Sequence, residues 1–211
     1  MDTKVKICGI TRREDADAAV SEGAAGIGFV FIRSSPRYID PDAAREIIRS
    51  LPPFVTPVGV IAGISRPEAL ALVANTGVRY LQLHDRGRFD DLKDLPVPHY
   101  KVFHVSPEFR PEHVNGARGN VFMLDTFVEG KLGGTGKTFD WDIAIQSKQY
   151  GRVILSGGIN PENVGDAIHR VAPYAIDVSS GVERSAGIKD HGKIRQLFEA
   201  VRTAQSTQLE V

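Results

Sequence analysis

The sequence predicts an α/β protein folded as a single (β/α)8, or TIM, barrel. Short apolar, β-branched runs recur along the chain, helical patterns opened by capping residues lie between them, and the runs number eight within 211 residues. Strands alternating with helices are the mark of parallel strands joined by crossovers. Eight such units in this length make a minimal barrel, a little below the usual ~250 residues. A doubly wound open sheet is the alternative use of the same elements.

Taken in order, the strands are expected at Val5–Gly9, Gly26–Phe31, Pro57–Ile61, Tyr80–His84, Tyr100–Val105, Val121–Thr126, Val153–Gly157 and Ala175–Ser179. Thr11, Asp40, Ser65 and Asn160 stand as capping residues before four of the helical patterns. Gly23 and Gly77 follow two of them, at the position where a left-handed residue closes a helix. The fourth and fifth helices are the weakest, because FDDLKDLP and PEHVNGA offer barely two turns each. Residues from Thr203 onward are polar and read as a frayed end, with the barrel domain taken as 1–205 and a disordered tail as 206–211.

Composition narrows the function. Lys and Arg number 26 and Asp and Glu also 26, so bulk charge draws the chain to neither nucleic acid nor membrane. The expected partner is a small molecule. Cys8 is the single cysteine, which excludes an internal disulfide framework and fits a reducing, cytoplasmic location. The charged start lacks the apolar stretch of a signal peptide, and no run reaches membrane-spanning length. Oligomeric state is not encoded in any pattern, and a monomer is the working expectation.

A barrel builds its active site at the C-terminal strand ends and the loops that follow. That rule selects Cys8, the loop Ser34–Arg37, His84, Asp125 and three glycine turns. The turns contain Gly133, Gly134 and Thr135, then Ser156, Gly157 and Gly158, then Ser179, Ser180 and Gly181. Glycine lets backbone N–H groups close on an anion, so these turns point to a phosphorylated ligand. Each is otherwise an ordinary tight connection. The Gly-Gly-Thr-Gly-Lys-Thr stretch lacks the four-residue gap of a P-loop, which excludes nucleotide binding there.

Cys8 ends its strand beside Gly9, where the barrel wall opens, while Val5, Ile7 and Ile10 supply the apolar burial; a small core hydrophobe is the competing reading. Asp125 emerges from the apolar run Val121–Leu124 and is either a functional carboxyl or a structural one. Asp177 has a similar setting two strands away. Arg37, held by Pro36, can offer a planar fork to a carboxylate, though many surface arginines do not.

Lys6–Thr11, Ser35–Tyr38, Gln82–His84, Leu124–Thr126, Gly133–Trp141, Gly157–Val164 and Asp177–Glu183 together resemble the motifs of the phosphoribosylanthranilate isomerase family, in that family's order and over nearly the whole chain. The resemblance implies a TIM barrel of tryptophan biosynthesis that performs an Amadori rearrangement with neither cofactor nor metal. By the same resemblance Cys8 is the general base at C2 of the ribose and Asp125 the general acid at the ring oxygen. Arg37 then pairs with the anthranilate carboxylate, His84 contacts substrate and Asp177 bonds a sugar hydroxyl. Gly134, Thr135, Gly157, Gly158, Ser180 and Gly181 fall in the phosphate loops. One departure is the run Asp85-Arg86-Gly87-Arg88, where the family has glycine and soon an acid, which puts a substrate contact through the fourth loop in doubt.

An unperturbed Asp is about one part in a thousand protonated at pH 7, so an acid role requires burial to raise the Asp125 pKa. Cys8 is expected to behave as an ordinary thiol, a few per cent ionised. The related isomerase of histidine biosynthesis would carry aspartate in place of Cys8, and a barrel that only binds sugar phosphates is the non-enzymatic alternative.

Overall fold

The computed structural model describes residues 2–84, 92, 94–116, 120–126 and 138–208. Eight parallel strands close into a barrel in sequence order: β1 Lys4–Cys8, β2 Gly26–Val30, β3 Thr56–Ile61, β4 Tyr80–Leu83, β5 His99–Val105, β6 Val121–Thr126, β7 Arg152–Leu155 and β8 Ala175–Val178. β8 returns to β1, with Lys4 opposite Ala175 and Lys6 opposite Asp177. The expected strands are present, Val121–Thr126 with both ends as expected and no other end moved by more than two residues, and the open sheet is excluded by this closure.

Among the described residues six α-helices surround the barrel: α1 Arg13–Glu22, α2 Pro41–Ser50, α3 Arg66–Thr76, α4 Trp141–Ser147, α5 Val164–Val171 and α6 His191–Gln208. Asp40 and Ser65 cap α2 and α3 through their side chains, Ser65 in a reciprocal box with Glu68. Gly23 and Gly77 end α1 and α3 at φ 109° and 78°, values that cost a non-glycine residue.

Two expected caps are corrected. Thr11 does not cap α1, whose boundary residue is Arg12; the Thr11 hydroxyl instead donates to Gly187 O at 2.5 Å. Asn160 accepts from the N–H groups of Glu162 and Asn163, a turn placed ahead of α5 rather than at its cap. The expected fifth helix is only a 3-10 turn at Pro111–Val114. Half of the expected fourth, residues 89–91 and 93, lies outside the described residues. The expected tail is corrected only up to Gln208, where α6 ends, with Val201 and Ala204 burying their side chains against the barrel's outer layer; residues 209–211 lie outside the described residues.

Strand alternation divides the core. Outward residues such as Ile7, Ile27, Phe29, Leu81, Phe122, Leu124, Leu155 and Ile176 pack under the helices, each fully buried and worth roughly 1.5–3 kcal/mol over exposure. Inward residues Val58, Tyr100, Val102, Met123, Ile154 and Ala175 fill the barrel floor as a separate cluster. Above that floor the inward positions turn polar.

Candidate active site

Because side chains alternate, the residue two positions along a strand shares its face. Lys6 and Cys8 therefore stand one above the other inside β1, as do Met123 and Asp125 in β6 and Ala175 and Asp177 in β8. Opposite Lys6 and Cys8, β2 presents Gly26 and Gly28. A Cβ at Gly28 would come within 2.7 Å of Cys8 Sγ and 3.0 Å of Lys6 Cε, so glycine there is what admits both side chains.

The polar side chains level with Lys6 are paired, as burial requires. Lys6 Nζ donates to Asp177 Oδ1 at 2.6 Å and to Gln82 Oε1 at 2.9 Å, and Tyr100 OH donates to the same Gln82 oxygen at 3.0 Å. Burial works against the Lys6 charge, but Asp177 and Cys8 outweigh it and hold the ammonium more firmly protonated than an ordinary lysine. This network was not foreseen. Its signal was a lysine two residues before Cys8 on the same face of an apolar strand.

Over this layer opens a cavity of about 530 Å³ lined by Cys8, Arg37, His84, Asp125, Gly157, Gly158, Asp177, Ser179 and Ser180, among others. The tertiary structure thus gathers both expected acid–base residues, all three expected substrate contacts and half of the expected phosphate residues. Gly134 and Thr135 lie outside the described residues. Gly181 does not line the cavity; a Cβ there would strike Ile159 O, so its role is to let the eighth loop pack on the seventh. Ser179 borders the cavity, and its Oγ is buried beside Gly9 with no hydrogen-bond partner among the described residues.

Asp125 is 5% exposed. Its Oδ1 accepts from Thr126 N–H at 2.9 Å, and its Oδ2 lies 3.9 Å from His84 Nε2. Gly157, at φ 85°, presses the seventh loop directly onto it: a Cβ there would meet Thr126 and come within 2.9 Å of Asp125 Oδ1. Burial, then repulsion from Asp177, pushes the Asp125 carboxyl up to about 7, against the opposing pull of Thr126 N–H and Lys6. The expected desolvation is therefore present, under the glycine-permitted loop, and repulsion from a second carboxylate adds to it.

Cys8 corrects the expectation of an ordinary thiol. Burial and the Asp177 charge push its pKa up, while Lys6 and Lys189 act in the opposite sense. Less of it is ionised at neutral pH than of a free cysteine.

Arg37 is also partly corrected. Its Nε and one terminal nitrogen donate to the two Glu183 oxygens at 2.9 and 2.7 Å, so the side-on fork is occupied and only the end-on edge remains for a ligand. Lys189 Nζ, with no side-chain exposure, donates to Glu183 Oε1 at 2.8 Å and to the Cys8 carbonyl at 2.6 Å. Burial opposes the Glu183 charge, yet the two cations keep its carboxyl below the usual range. This triad ties the end of β1 to the second and eighth loops. Sequence patterning held no signal for Lys189.

A barrel whose mouth holds a carboxyl poised near neutrality beside a thiol is an enzyme of the acid–base type. Residues 5–200 match the family described as N-(5'phosphoribosyl)anthranilate (PRA) isomerase. The N-(5'-phosphoribosyl)anthranilate isomerase of Pseudomonas aeruginosa strain LESB58 is 45% identical over 204 residues, covering 95% of each chain. Among solved structures, the phosphoribosyl anthranilate isomerase of Thermotoga maritima superposes with TM-score 0.89 at 39% identity, over 95% of this chain and 99% of that one. A further isomerase structure, in complex with reduced 1-(o-carboxyphenylamino)-1-deoxyribulose 5-phosphate, gives TM-score 0.85 at 37% identity, over 95% of this chain and 99% of that one. The chain belongs to the N-(5'-phosphoribosyl)anthranilate isomerase family.

Proposed function

We infer that the protein converts N-(5'-phosphoribosyl)anthranilate to 1-(2-carboxyphenylamino)-1-deoxyribulose 5-phosphate, an Amadori rearrangement of tryptophan biosynthesis that uses neither cofactor nor metal. The observation that carries the reading is Asp125: a carboxyl raised to about 7 shares one cavity with the chain's only thiol. Family membership and the resemblance of the surrounding motifs supply the substrate.

In the proposed mechanism protonated Asp125 gives its proton to the furanose ring oxygen. The ring C–O bond breaks, the anthranilate nitrogen lone pair moves in, and an iminium forms at C1. The Cys8 thiolate then takes the C2 proton, and the C–H electrons neutralise the iminium as an enolamine, which becomes the C2 ketone by proton transfer. Asp125 ends as carboxylate and Cys8 as thiol, so the next turnover requires a proton to return to Asp125 and one to leave Cys8. Asp177, with Oδ1 engaged by Lys6, offers Oδ2 to a sugar hydroxyl. The free edge of Arg37 takes the anthranilate carboxylate and His84 borders the same space. Gly157, Gly158, Ser179 and Ser180, with Gly134 and Thr135, receive the phosphate.

The direct test follows the loss of substrate fluorescence when purified protein meets freshly made phosphoribosylanthranilate. Turnover abolished in the Cys8 and Asp125 variants supports the reading, whereas tight binding of a reduced product analogue without any turnover would make the protein a sugar-phosphate binder. Among the described residues no helix is long and apolar enough to cross a membrane. Balanced charge and the lone thiol support a cytoplasmic site of action. A monomer is the proposed state, and light scattering checks it.

A further inference from the structure

Directly beneath Cys8 the barrel buries an ammonium that the proposed chemistry does not use. A buried ion pair is weak support for stability, since well-packed apolar residues at such positions are often equally stable or more so. The Lys6–Asp177 pair therefore invites a functional account.

Lys6 cannot swing away from the acid–base layer. Its Nζ is clamped from two sides, by Asp177 Oδ1 at 2.6 Å and Gln82 Oε1 at 2.9 Å, and Gln82 is itself fixed by Tyr100 OH. The Lys6 stem and the Cys8 sulfur border the same space in front of Gly28, where a Cβ would lie 3.0 Å from Lys6 Cε and 2.7 Å from Cys8 Sγ. From the other elements, β2 offers only glycines at this level and β3 only Val58 and Val60, with nothing to titrate. Asp177 faces Lys6 from β8, Tyr100 from β5 and Asp125 from β6. His84 and His104, with ring centroids 4.9 Å apart, lie above β4 and on β5. Ser156 of the seventh loop sits 3.5 Å from Asp177 Oδ2. On the far side of Cys8, Lys189 is neutralised by Glu183.

Resting on the acid–base reading above, we propose that Lys6 is the positioning residue of the pair: its clamped ammonium stabilises the Cys8 thiolate and holds Asp177 by one oxygen, leaving the other for the sugar. Opposite charge within a few ångströms favours the ionised form of a neighbour, and here it works against the burial that disfavours it. Asp177 works in the other direction on the same sulfur. The two members of one ion pair thus have opposite effects on the base.

Because Cys8 is the only cysteine, its alkylation by iodoacetamide reads the thiolate without background. Rate against pH, followed by intact mass on the free protein, gives the midpoint of ionisation. Lys6→Met is expected to move that midpoint up by about one pH unit or more, and Asp177→Asn to move it down. A general loosening of the barrel would relieve burial and move both variants down together. A Lys6→Met midpoint equal to or below wild type overturns the proposal. Should Lys6→Met not fold, Lys6→Met with Asp177→Asn removes the pair without leaving a lone carboxylate, and its midpoint must lie above that of Asp177→Asn alone; an equal or lower value overturns it. The readout needs no substrate, so absence of turnover would refute the isomerase reading without touching this one.

Discussion

Asp125→Asn should cost the protein its reaction and make it more stable, and the gain in stability should itself depend on pH. The folded chain holds the Asp125 proton more tightly than the unfolded chain does, with a pKa of about 7 against an ordinary 3.8. Stability is therefore unpenalised below about pH 4, where both states are protonated, and falls as pH rises towards 7. Above about pH 8 the full gap applies and corresponds to roughly 4 kcal/mol. Asparagine is neutral at every pH, and its carbonyl can still accept from Thr126 N–H as Oδ1 does at 2.9 Å. It thus removes the penalty without removing the contact. Equilibrium urea unfolding of both proteins should show a gain approaching 4 kcal/mol at pH 8, under about 2 at pH 5, and none below pH 4. In thermal terms the pH 8 gain is on the order of 10 °C for a chain of this size. At the same time kcat should fall at least about 100-fold, the low end for a positioned acid. A variant no more stable than wild type at pH 8, or equally stabilised at pH 5 and pH 8, would show that Asp125 is not held against its charge, and the acid role would lose its physical basis.

Three further outcomes follow from the same geometry. Cys8→Ala should lower kcat by about 100- to 10,000-fold while circular dichroism stays unchanged, since it removes a proton acceptor and little volume; more than half of wild-type activity would reduce Cys8 to a core residue. Arg37→Ala should raise KM by a loss on the order of 1.5–3 kcal/mol for a charge-assisted bond, and an unchanged KM would show that its free edge meets no substrate carboxylate. The pH profile of kcat/KM should be a plateau rising through about 7 and falling only above 9, because the acid titrates near 7 and the thiol above its ordinary 9.0. Below the plateau the pair carries two protons and above it none. Within it the competent form, proton on Asp125 and charge on Cys8, is at most about one molecule in a hundred. An optimum confined below pH 7 would contradict this ordering.

Periodicity and punctuation made the barrel legible. Eight apolar runs, the caps Asp40 and Ser65 and the closing glycines Gly23 and Gly77 are local features, decided by side-chain alternation, by which groups reach a free N–H, and by which residue tolerates a positive φ. The rule that barrel chemistry sits at C-terminal strand ends then picked out Cys8, Arg37, His84 and Asp125, Asp177 stood out by its similar setting in an apolar strand, and all five face one cavity. Thr11 shows where local signals fail. It is a good capping residue by type, but Gly187 from the far end of the chain offered its hydroxyl a better partner. The same holds for the charges. Lys6 meets Asp177, and Arg37 meets Glu183, only because closing the sheet brings β8 beside β1 and lays the eighth loop across the second. Nothing in either stretch of sequence announces the other. Asp125 marks the limit most clearly: an aspartate at the end of an apolar strand is visible in the sequence, but its proton affinity is set by what desolvates and faces it. The seventh loop at Gly157 and the carboxylate of Asp177 reach it only through the tertiary fold, so the residue and the direction of its shift were readable from the chain, and the size of the shift was not.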